Sequence, residues 1–447
     1  FDQYSRISKE RKEGNKTLYP VKTIKVWIDI DEGSITVYND GEGIDVAIHP
    51  TEKMYIPQMI FGELLTSTNY DKDEEKITGG KNGYGAKLTN IFSKFFSVET
   101  VDMRRKKHFY QEYTNNMKNK TTPVITPSKS KPYTKIKFIP DYRKFNCPGL
   151  TEDMILLVKK RTYDMAACSA GKLSIYLNDK KLEVTNIDEY ISLYLGKPSE
   201  YLRVVEEVND RWVIGAAMNM DQVFDQVSFV NGISTIRGGR HVEYITKQIT
   251  KKLAAYIKKK KKVDVRENYI KENLMVFVNS IIVNPSFDSQ TKETLTTTRS
   301  RFGSICPISD KFIEDLSKTG IMDKAIALDQ FKSSQGLRKT DGKKTKNILD
   351  IPKLEDAKWA GTKKKSHLCT LILTEGDSAK AMAVAGISVL EDGRNKYGIF
   401  PLKGKLLNVR DKSDKDIVMN KEITNIKRIF GLKEGKNYQN VDDLRYG

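Results

Sequence analysis

Gly79-Gly80-Lys81-Asn82-Gly83-Tyr84-Gly85-Ala86-Lys87-Leu88-Thr89-Asn90 is the most informative run in the chain. Glycines at 79, 80, 83 and 85 open backbone conformations closed to other residues, so successive N–H groups can turn toward one anionic centre. Beyond Ala86, apolar residues recur at helical spacing (Leu88, Ile91, Phe92), which predicts a helix whose positive N-terminal end faces the same anion. Lys81 and Lys87 add mobile positive charge. The run fits neither Gly-x-x-x-x-Gly-Lys-Ser/Thr nor Gly-x-Gly-x-x-Gly, and glycines alone also mark ordinary turns, so other stretches must decide between a phosphate loop and a turn.

The chain has 447 residues, enough for about two to four domains with cores of their own. With 38% hydrophobic and 9% aromatic residues it reads as globular. Its 77 basic and 58 acidic residues give a net charge of +19, which favours a polyanionic partner, nucleic acid first. Cys147, Cys168, Cys306 and Cys369 are scattered without a Cys-x-x-Cys pair, and His49, His108, His241 and His367 are equally dispersed. That excludes a sequence-legible zinc site or disulfide framework and fits a reducing compartment. No apolar run approaches the ~18 residues of a membrane span, so no membrane partner is expected. The chain opens on Phe1-Asp2-Gln3 without an initiator Met, so upstream sequence is expected.

Alternation predicts strands at Thr23–Ile30 and Ser34–Tyr38, a hairpin that delivers Asn39-Asp40-Gly41-Glu42-Gly43. There two glycines let backbone approach a flat ligand while Asn39 or Asp40 offers a hydrogen-bonding side chain; a plain turn has the same pattern. Residues 57–66 are helix-like and end in Ser67-Thr68-Asn69-Tyr70, small polar groups suited to a cap or to phosphate oxygens. Residues 71–78 are charged and read as the entrance to a lid. Further strands are expected at 95–100, at 134–138 and as a pair within 172–182, with a helix at 151–168.

Taken together, Asn39-x-Gly-x-Gly, Leu64-Leu65-Thr66-Ser67-Thr68-Asn69-Tyr70, the glycine run and Tyr133-Thr134-Lys135-Ile136 resemble the nucleotide-binding boxes of GHKL ATPases, more narrowly those of eukaryotic-type, type IIA DNA topoisomerases. The resemblance implies that Asn39 reads adenine with support from Thr134, that Ser67, Thr68 and Asn69 contact sugar and phosphates, and that Gly80, Lys81, Asn82, Gly83, Tyr84, Gly85, Ala86 and Lys87 wrap the triphosphate. Tyr133 stands where the family usually has Gly. The family's first box, with its catalytic Glu and magnesium-binding Asn, would precede residue 1, and Asp2 would be its last acidic member. A molecule lacking that box is expected to keep nucleotide contacts and lose hydrolysis.

In residues 187–335, buried strands are expected at 213–218 and 225–233, a helix opening at Gly238-Gly239, and a strand at Met275–Val283, an α+β pattern. Lys258, Lys259, Lys260, Lys261 and Lys262 end the helix, either as a solvated terminus favoured by the macrodipole or as a DNA phosphate contact. Phe287-Asp288-Ser289-Gln290-Thr291-Lys292-Glu293 resembles the family's transducer switch loop, which implies that Gln290, Thr291 and Lys292 approach the γ-phosphate, with Lys292 in a catalytic role. An ammonium that touches only the terminal phosphate can tell ATP from ADP. Residues 333–347 are charge-rich and read as a linker, and 349–359 as packing back on something.

Cys369–Thr374 is a continuous apolar run expected to form a buried parallel strand, with Glu375-Gly376-Asp377-Ser378-Ala379 at its C-terminal end and a helix over 379–389. Acidic groups at such an edge suit Mg²⁺. With Pro401-Leu402-Lys403-Gly404-Lys405-Leu406-Leu407-Asn408-Val409, this stretch resembles the TOPRIM module of the same topoisomerases. The resemblance implies Glu375 as metal ligand and acid/base in DNA cleavage, Asp377 as its support, and Lys405 and Asn408 beside the DNA backbone. Asp411, Asp414 and Asp416 read as a solvated loop.

The expected fold class is therefore α+β and multidomain. It comprises a GHKL (Bergerat) α/β sandwich over 1–186, an α+β transducer over 187–335, a linker over 336–365, and the first part of an α/β TOPRIM domain over 366–447. The expected function is that of an ATP-dependent type II DNA topoisomerase with ATP and Mg²⁺ as cofactors, double-stranded DNA as partner and a homodimeric clamp. Its expected location is nuclear, or a viral factory or virion if the source is viral. The rivals are a non-catalytic, ATP-switched GHKL clamp or chaperone-like protein, against which the Glu375–Ala379 and Lys405–Asn408 pair argues, and a simple basic DNA-binding protein.

Overall fold

The computed structural model describes all residues except 65–74, 81, 82, 347, 349, 411 and 413, and the side chains of 334 and 415. Its contacts divide the chain into two compact units, Phe1–Met322 and Asp323–Gly447.

The first unit contains two sheets. In the larger, β1 (Thr23–Asp29), β2 (Ser34–Asp40), β3 (Ser93–Asp102), β4 (Lys107–Thr114), β5 (Asn119–Lys120), β6 (Val124–Pro127), β7 (Tyr133–Pro140), β8 (Ser174–Leu177) and β9 (Lys180–Lys181) are ordered β5-β4-β3-β7-β2-β1-β8-β9, with β6 against β4. Pairing is antiparallel except between β1 and β8. Both ends of this order are two-residue strands whose side chains are exposed.

Strict alternation puts Ile24, Val26 and Ile28 of β1 on the buried face. Ile24 joins a core with Ile7 of α1 (Asp2–Lys12) and Ala166 of α4 (Glu152–Cys168). Between these lie α2 (Ile56–Gly62), shorter than the 57–66 expected, and α3 (Tyr84–Ile91), the helix expected after the glycine run. Thr151 caps α4 by accepting from Met154 N.

The second sheet is ordered β10-β11-β14-β12-β13, from β10 (Arg203–Asn209), β11 (Trp212–Met218), β12 (Asp225–Val230), β13 (Ile233–Ser234) and β14 (Leu274–Ser280). Residues 225–233, read from sequence as one strand, are a hairpin. Asn231 (φ 52°) and Gly232 (φ 76°) take the left-handed conformations of a tight primed turn, and the apolar run on either side concealed it.

The helices of this part are α5 (Ile187–Leu195), α6 (Arg240–Lys261), α7 (Glu267–Glu272) and α8 (Asp310–Leu316). The α6 helix buries Val242, Ile245, Ile249, Leu253 and Ile257 at helical spacing against β14 and α8. It starts at Gly239, whose φ of 131° and contact with the Leu295 backbone leave no room for a Cβ. His241 is fully buried in its first turn, with Nε2 3.1 Å from Thr235 Oγ1.

The second unit has α9 (Met322–Lys339) at its start, then α10 (Gly376–Val389), α11 (Gly393–Lys396), α12 (Asp414–Met419) and α13 (Lys421–Phe430), around a parallel pair β15 (Thr370–Glu375) and β16 (Tyr397–Leu402). The helix α9 runs through 333–339, where a linker was expected; charge-rich sequence still supports a helix that ends in Arg338 and Lys339, which complement its dipole. Asp414 and Asp416, expected in a loop, lie in the first turn of α12. The β15 strand is parallel as expected but not fully buried: Leu373 is 40% exposed.

Residues 351–360 pack into this unit's core through Ile351, Ala357 and Ala360, with Cys369, Phe400, Ile429 and Tyr446. A buried polar hub ties that stretch to the last residues. Fully buried Arg445 donates to Asp356 Oδ2 at 2.5 Å and to Thr345 O at 2.7 Å, Tyr446 OH donates to Asp356 Oδ1 at 2.5 Å, and Ala357 N donates to Tyr446 OH at 3.0 Å. Burial, with the Asp356 carboxylate, raises the Tyr446 phenol well above its usual range.

Two outcomes follow from these buried groups. Asp356→Ala leaves Arg445 buried without its counter-ion and should lower the stability of the second unit by about 3–5 kcal/mol, read as a shifted urea midpoint. Burial holds the His241 imidazole down at about 3, so the folded form keeps it neutral while the unfolded form protonates near 6.5. Stability contributed by neutral His241 is thus intact above pH 6.5 and is lost as pH falls toward 3, by about 1.4 kcal/mol per unit. His241→Phe should flatten the acid limb of the pH–stability curve measured by urea unfolding.

Candidate functional site

The glycine run stands where three parts of the first unit meet. Helix α1 supplies Asp2, whose Oδ1 accepts from Gly79 N at 3.0 Å and whose Oδ2 accepts from Gly80 N at 2.7 Å. One carboxylate therefore spans two successive amides, the arrangement expected of a bound anion. From the segment after β14, Lys292 Nζ donates to Gly79 O at 2.9 Å. Burial lowers the Lys292 ammonium's pKa, and the facing Asp2 charge opposes that shift.

The root of the run is stitched down on both sides. Lys9 Nζ donates to Glu75 O at 2.7 Å, Asn284 N donates to Lys76 O at 2.8 Å, Lys76 N donates to Asn284 Oδ1 at 3.0 Å, and Asn231 Nδ2 donates to Thr78 O at 3.4 Å. A Cβ at Gly79 would lie 2.2 Å from Ile233, and one at Gly80 would lie 2.9 Å from the Asp2 carboxylate. A larger residue at either position would have to push the Ile233 side chain or the Asp2 carboxylate aside.

Past the root, Gly83 (φ 67°) is the N-cap of α3, and Gly83, Gly85 and Ala86 are exposed, with Tyr84 partly so. Lys87 points inward and is 1% exposed; burial lowers its ammonium's pKa, with Glu63 opposing. Lys81 and Asn82, and Ser67, Thr68 and Asn69, lie outside the described residues.

The two residues assigned to adenine are brought together, since Asn39 of β2 and Thr134 of β7 face each other in register. Asn39 Nδ2 donates to Gln3 Oε1 at 2.6 Å, and buried Thr134 sits 3.2 Å from Thr100 Oγ1. Asp40, the alternative to Asn39, is committed to structure: its Oδ1 accepts from Lys22 N and Thr23 N at 2.7 and 2.8 Å. Gly43 (φ 72°) comes so close to Val101 O that a Cβ would lie 2.2 Å from it. Tyr133 does not fill the site. Its ring packs on Tyr38 at 5.4 Å and its hydroxyl donates to Glu99 at 2.6 Å, on the face of the strand opposite Thr134.

Gln290 and Thr291 are exposed, with the Thr291 hydroxyl 2.8 Å from Ser289 Oγ, so of the three switch-loop residues it is Lys292 that reaches the run. Lys292 holds a left-handed φ of 61° in doing so. Sequence reasoning missed Asn231 and Asn284, and nothing local marks them. Each sits at a turn or strand exit, and only the tertiary fold carries it to the loop.

In the second unit, Glu375 ends β15 in register with Leu402 of β16, which brings the acidic turn beside Lys403-Gly404-Lys405. Glu375, Lys405 and Asn408 are all exposed, and Asn408 Oδ1 accepts from Arg410 N at 3.1 Å. Asp377 lies in the first turn of α10 beside Lys353, which holds its carboxyl below the usual range. No group of three metal-ligating side chains occurs among the described residues. One exposed carboxylate nonetheless suits Mg²⁺, which commonly takes one or two carboxylates plus waters and phosphate oxygens. At the end of α6, Lys258 pairs with Asp264 at 3.0 Å and Lys260 lies 5.8 Å from the Tyr256 ring; Lys258, Lys259 and Lys260 are exposed. Among the described residues, no helix is long and apolar enough to cross a membrane.

A family model described as DNA gyrase B matches residues 186–345. A DNA topoisomerase 2 of Pisum sativum is 50% identical over 432 residues, 95% of this chain and 29% of the relative. One from Acanthamoeba polyphaga mimivirus is 48% identical over 448 residues, 99% of this chain and 35% of the relative. The chain thus spans about a third of the length of these relatives. A crystal structure of the ATPase and transducer domains of DNA topoisomerase II from Balamuthia mandrillaris matches with a TM-score of 0.66 and 43% identity, covering 74% of this chain and 85% of that one. The ATPase region of Saccharomyces cerevisiae topoisomerase II matches with a TM-score of 0.65 and 41% identity, covering 73% and 84%. These likenesses bear out the α+β, GHKL-type fold class and do not favour the rival reading as a non-catalytic clamp. The chain belongs to the DNA topoisomerase II family.

Proposed function

We propose that this chain is the nucleotide-operated part of an ATP-dependent type II DNA topoisomerase, in which ATP closes two copies into a clamp that passes one DNA duplex through a transient break in another. The observation that carries this reading is the Asp2 carboxylate held by Gly79 N and Gly80 N with the Lys292 ammonium on Gly79 O, a cradle able to hold an oxyanion. Asn39 and Thr134 would take the adenine. Ser67, Thr68, Asn69 and the run from Gly80 to Lys87 would take the sugar and phosphates, and Gln290, Thr291 and Lys292 would sense the γ-phosphate. Because Lys292 comes from the segment after β14 and touches the loop root, loss of the terminal phosphate would loosen the link between the two sheets' territories.

The proposed division is an ATPase domain over 1–186, a transducer over 187–335, a connecting stretch over 336–365 whose second half packs into the final unit, and the first part of a TOPRIM domain over 366–447. Glu375 would hold Mg²⁺, whose charge would stabilise the phosphate oxygens at which DNA is cut. Glu375 itself would serve as acid/base, while Lys405 and Asn408 would border the DNA backbone. Lys258, Lys259 and Lys260 form a second cationic surface for duplex DNA. Eukaryotic and viral relatives make the nucleus, or a viral factory or virion, the proposed location.

Calorimetric titration of the intact protein should give tighter binding of a non-hydrolysable ATP analogue than of ADP. Lys292→Ala should reduce that preference about tenfold, the ~1.4 kcal/mol scale of one charge-assisted hydrogen bond, with ADP affinity nearly unchanged. An unaltered preference argues against the γ-phosphate role. DNA affinity should fall steeply with salt, and replacing Lys258, Lys259 and Lys260 with Ala should lower the log–log slope by about 0.9 for each DNA phosphate that is no longer neutralised. A slope that does not change removes this surface from the DNA path.

A further inference from the structure

The acidic turn is flanked by a piece of chain that its own motif does not contain. Glu355 lies beside β16, where Glu355 N donates to Ile399 O at 2.9 Å and Ile399 N donates to Glu355 O at 2.8 Å, an antiparallel bridge that fixes the main chain two residues after Lys353. Two ion pairs cross from this segment to α10. Lys353 Nζ pairs with Asp377, the second residue of the helix, and Lys380 Nζ, one turn further on, donates to Glu355 Oε1 at 3.0 Å. Lys353 takes a left-handed φ of 67°, a conformation that costs energy for a residue with a side chain.

An isolated exposed ion pair contributes little, because two long side chains must be ordered in water. Here the donor lies two residues from the bridge at Glu355, the partner sits on a helix, and a second pair of opposite polarity runs beside the first. Glu375, two residues before Asp377, has none of these contacts and stands exposed at the strand end.

Resting on the reading of this turn as a metal-dependent DNA-cleavage site, we propose that Lys353 is a positioning residue: it engages the Asp377 carboxylate so that, of the two acids in the turn, Glu375 alone is presented to a divalent cation. Lys353 then acts through Asp377 and does not itself touch the metal. Its ammonium ties the first turn of α10 to the segment bridged to β16 and keeps Asp377 from drawing the ion out of line with Glu375.

The test is Mn²⁺ binding to the intact protein, followed by electron paramagnetic resonance in the absence of DNA and nucleotide. Lys353→Asn removes the charge while keeping a residue that tolerates the left-handed conformation. It should tighten Mn²⁺ binding about fivefold, the effect of removing one unit charge at close range in water and releasing a second carboxylate. Lys353→Arg should retain the original affinity, and adding Asp377→Asn to Lys353→Asn should abolish the gain. If Glu375→Gln removes Mn²⁺ binding but Lys353→Asn leaves it unchanged, the metal reading stands and the positioning role is overturned. If Glu375→Gln has no effect on Mn²⁺ binding, the metal reading fails and the proposal fails with it.

Discussion

A bend of main chain whose N–H groups converge on one carboxylate cannot hold its shape unaided, because free amides are equally well served by water. At Gly79 and Gly80 the bend persists because both N–H groups are taken by Asp2 while Gly79 O is taken by Lys292, so the same peptide segment is fixed from an N-terminal helix and from the second sheet. Charge-assisted hydrogen bonds in a partly buried place are about twice as strong as neutral ones, which suits a small set of bonds to holding large elements. Asn231, Asn284 and Lys9 fasten the neighbouring residues, so the loop root is one of the joints between the parts of the first unit, beside the apolar core that Ala167 shares with Phe229 and Phe277.

The second unit solves a related problem with the charges reversed. At the loop a carboxylate occupies donors; at the acidic turn an ammonium occupies an acceptor. In both places an internal counter-ion comes from a neighbouring element, in one case from the first turn of α1 and in the other from two residues before the bridge of Glu355 to β16. Burial distinguishes them. Lys292 is half-buried and its ammonium's pKa is lowered by desolvation, whereas Lys353 and Asp377 stand in solvent.

Much of this was legible in the sequence where period and turn chemistry agreed. The alternation at 23–38, the helix after Gly83 and the continuous run before Glu375 each led to the observed element. Asn39 and Thr134, named together through the family resemblance, face each other in register. Legibility failed where local pattern and tertiary context parted. The apolar run 225–233 looked like one strand because Asn231 and Gly232 are flanked by residues that continue the pattern on both sides. The charged stretch 333–339 looked like a linker, although Lys and Arg near a helix end favour the helix. Asn231, Asn284 and Lys353 were silent because their significance lies in partners far away along the chain.

The large sheet ends at both sides in strands of two exposed residues, Asn119–Lys120 and Lys180–Lys181. Such short, lysine-bearing borders offer a foreign chain too few free backbone groups to pair with, and they repel a second border of the same kind. Two copies of this chain brought side by side are therefore kept from joining their large sheets edge to edge.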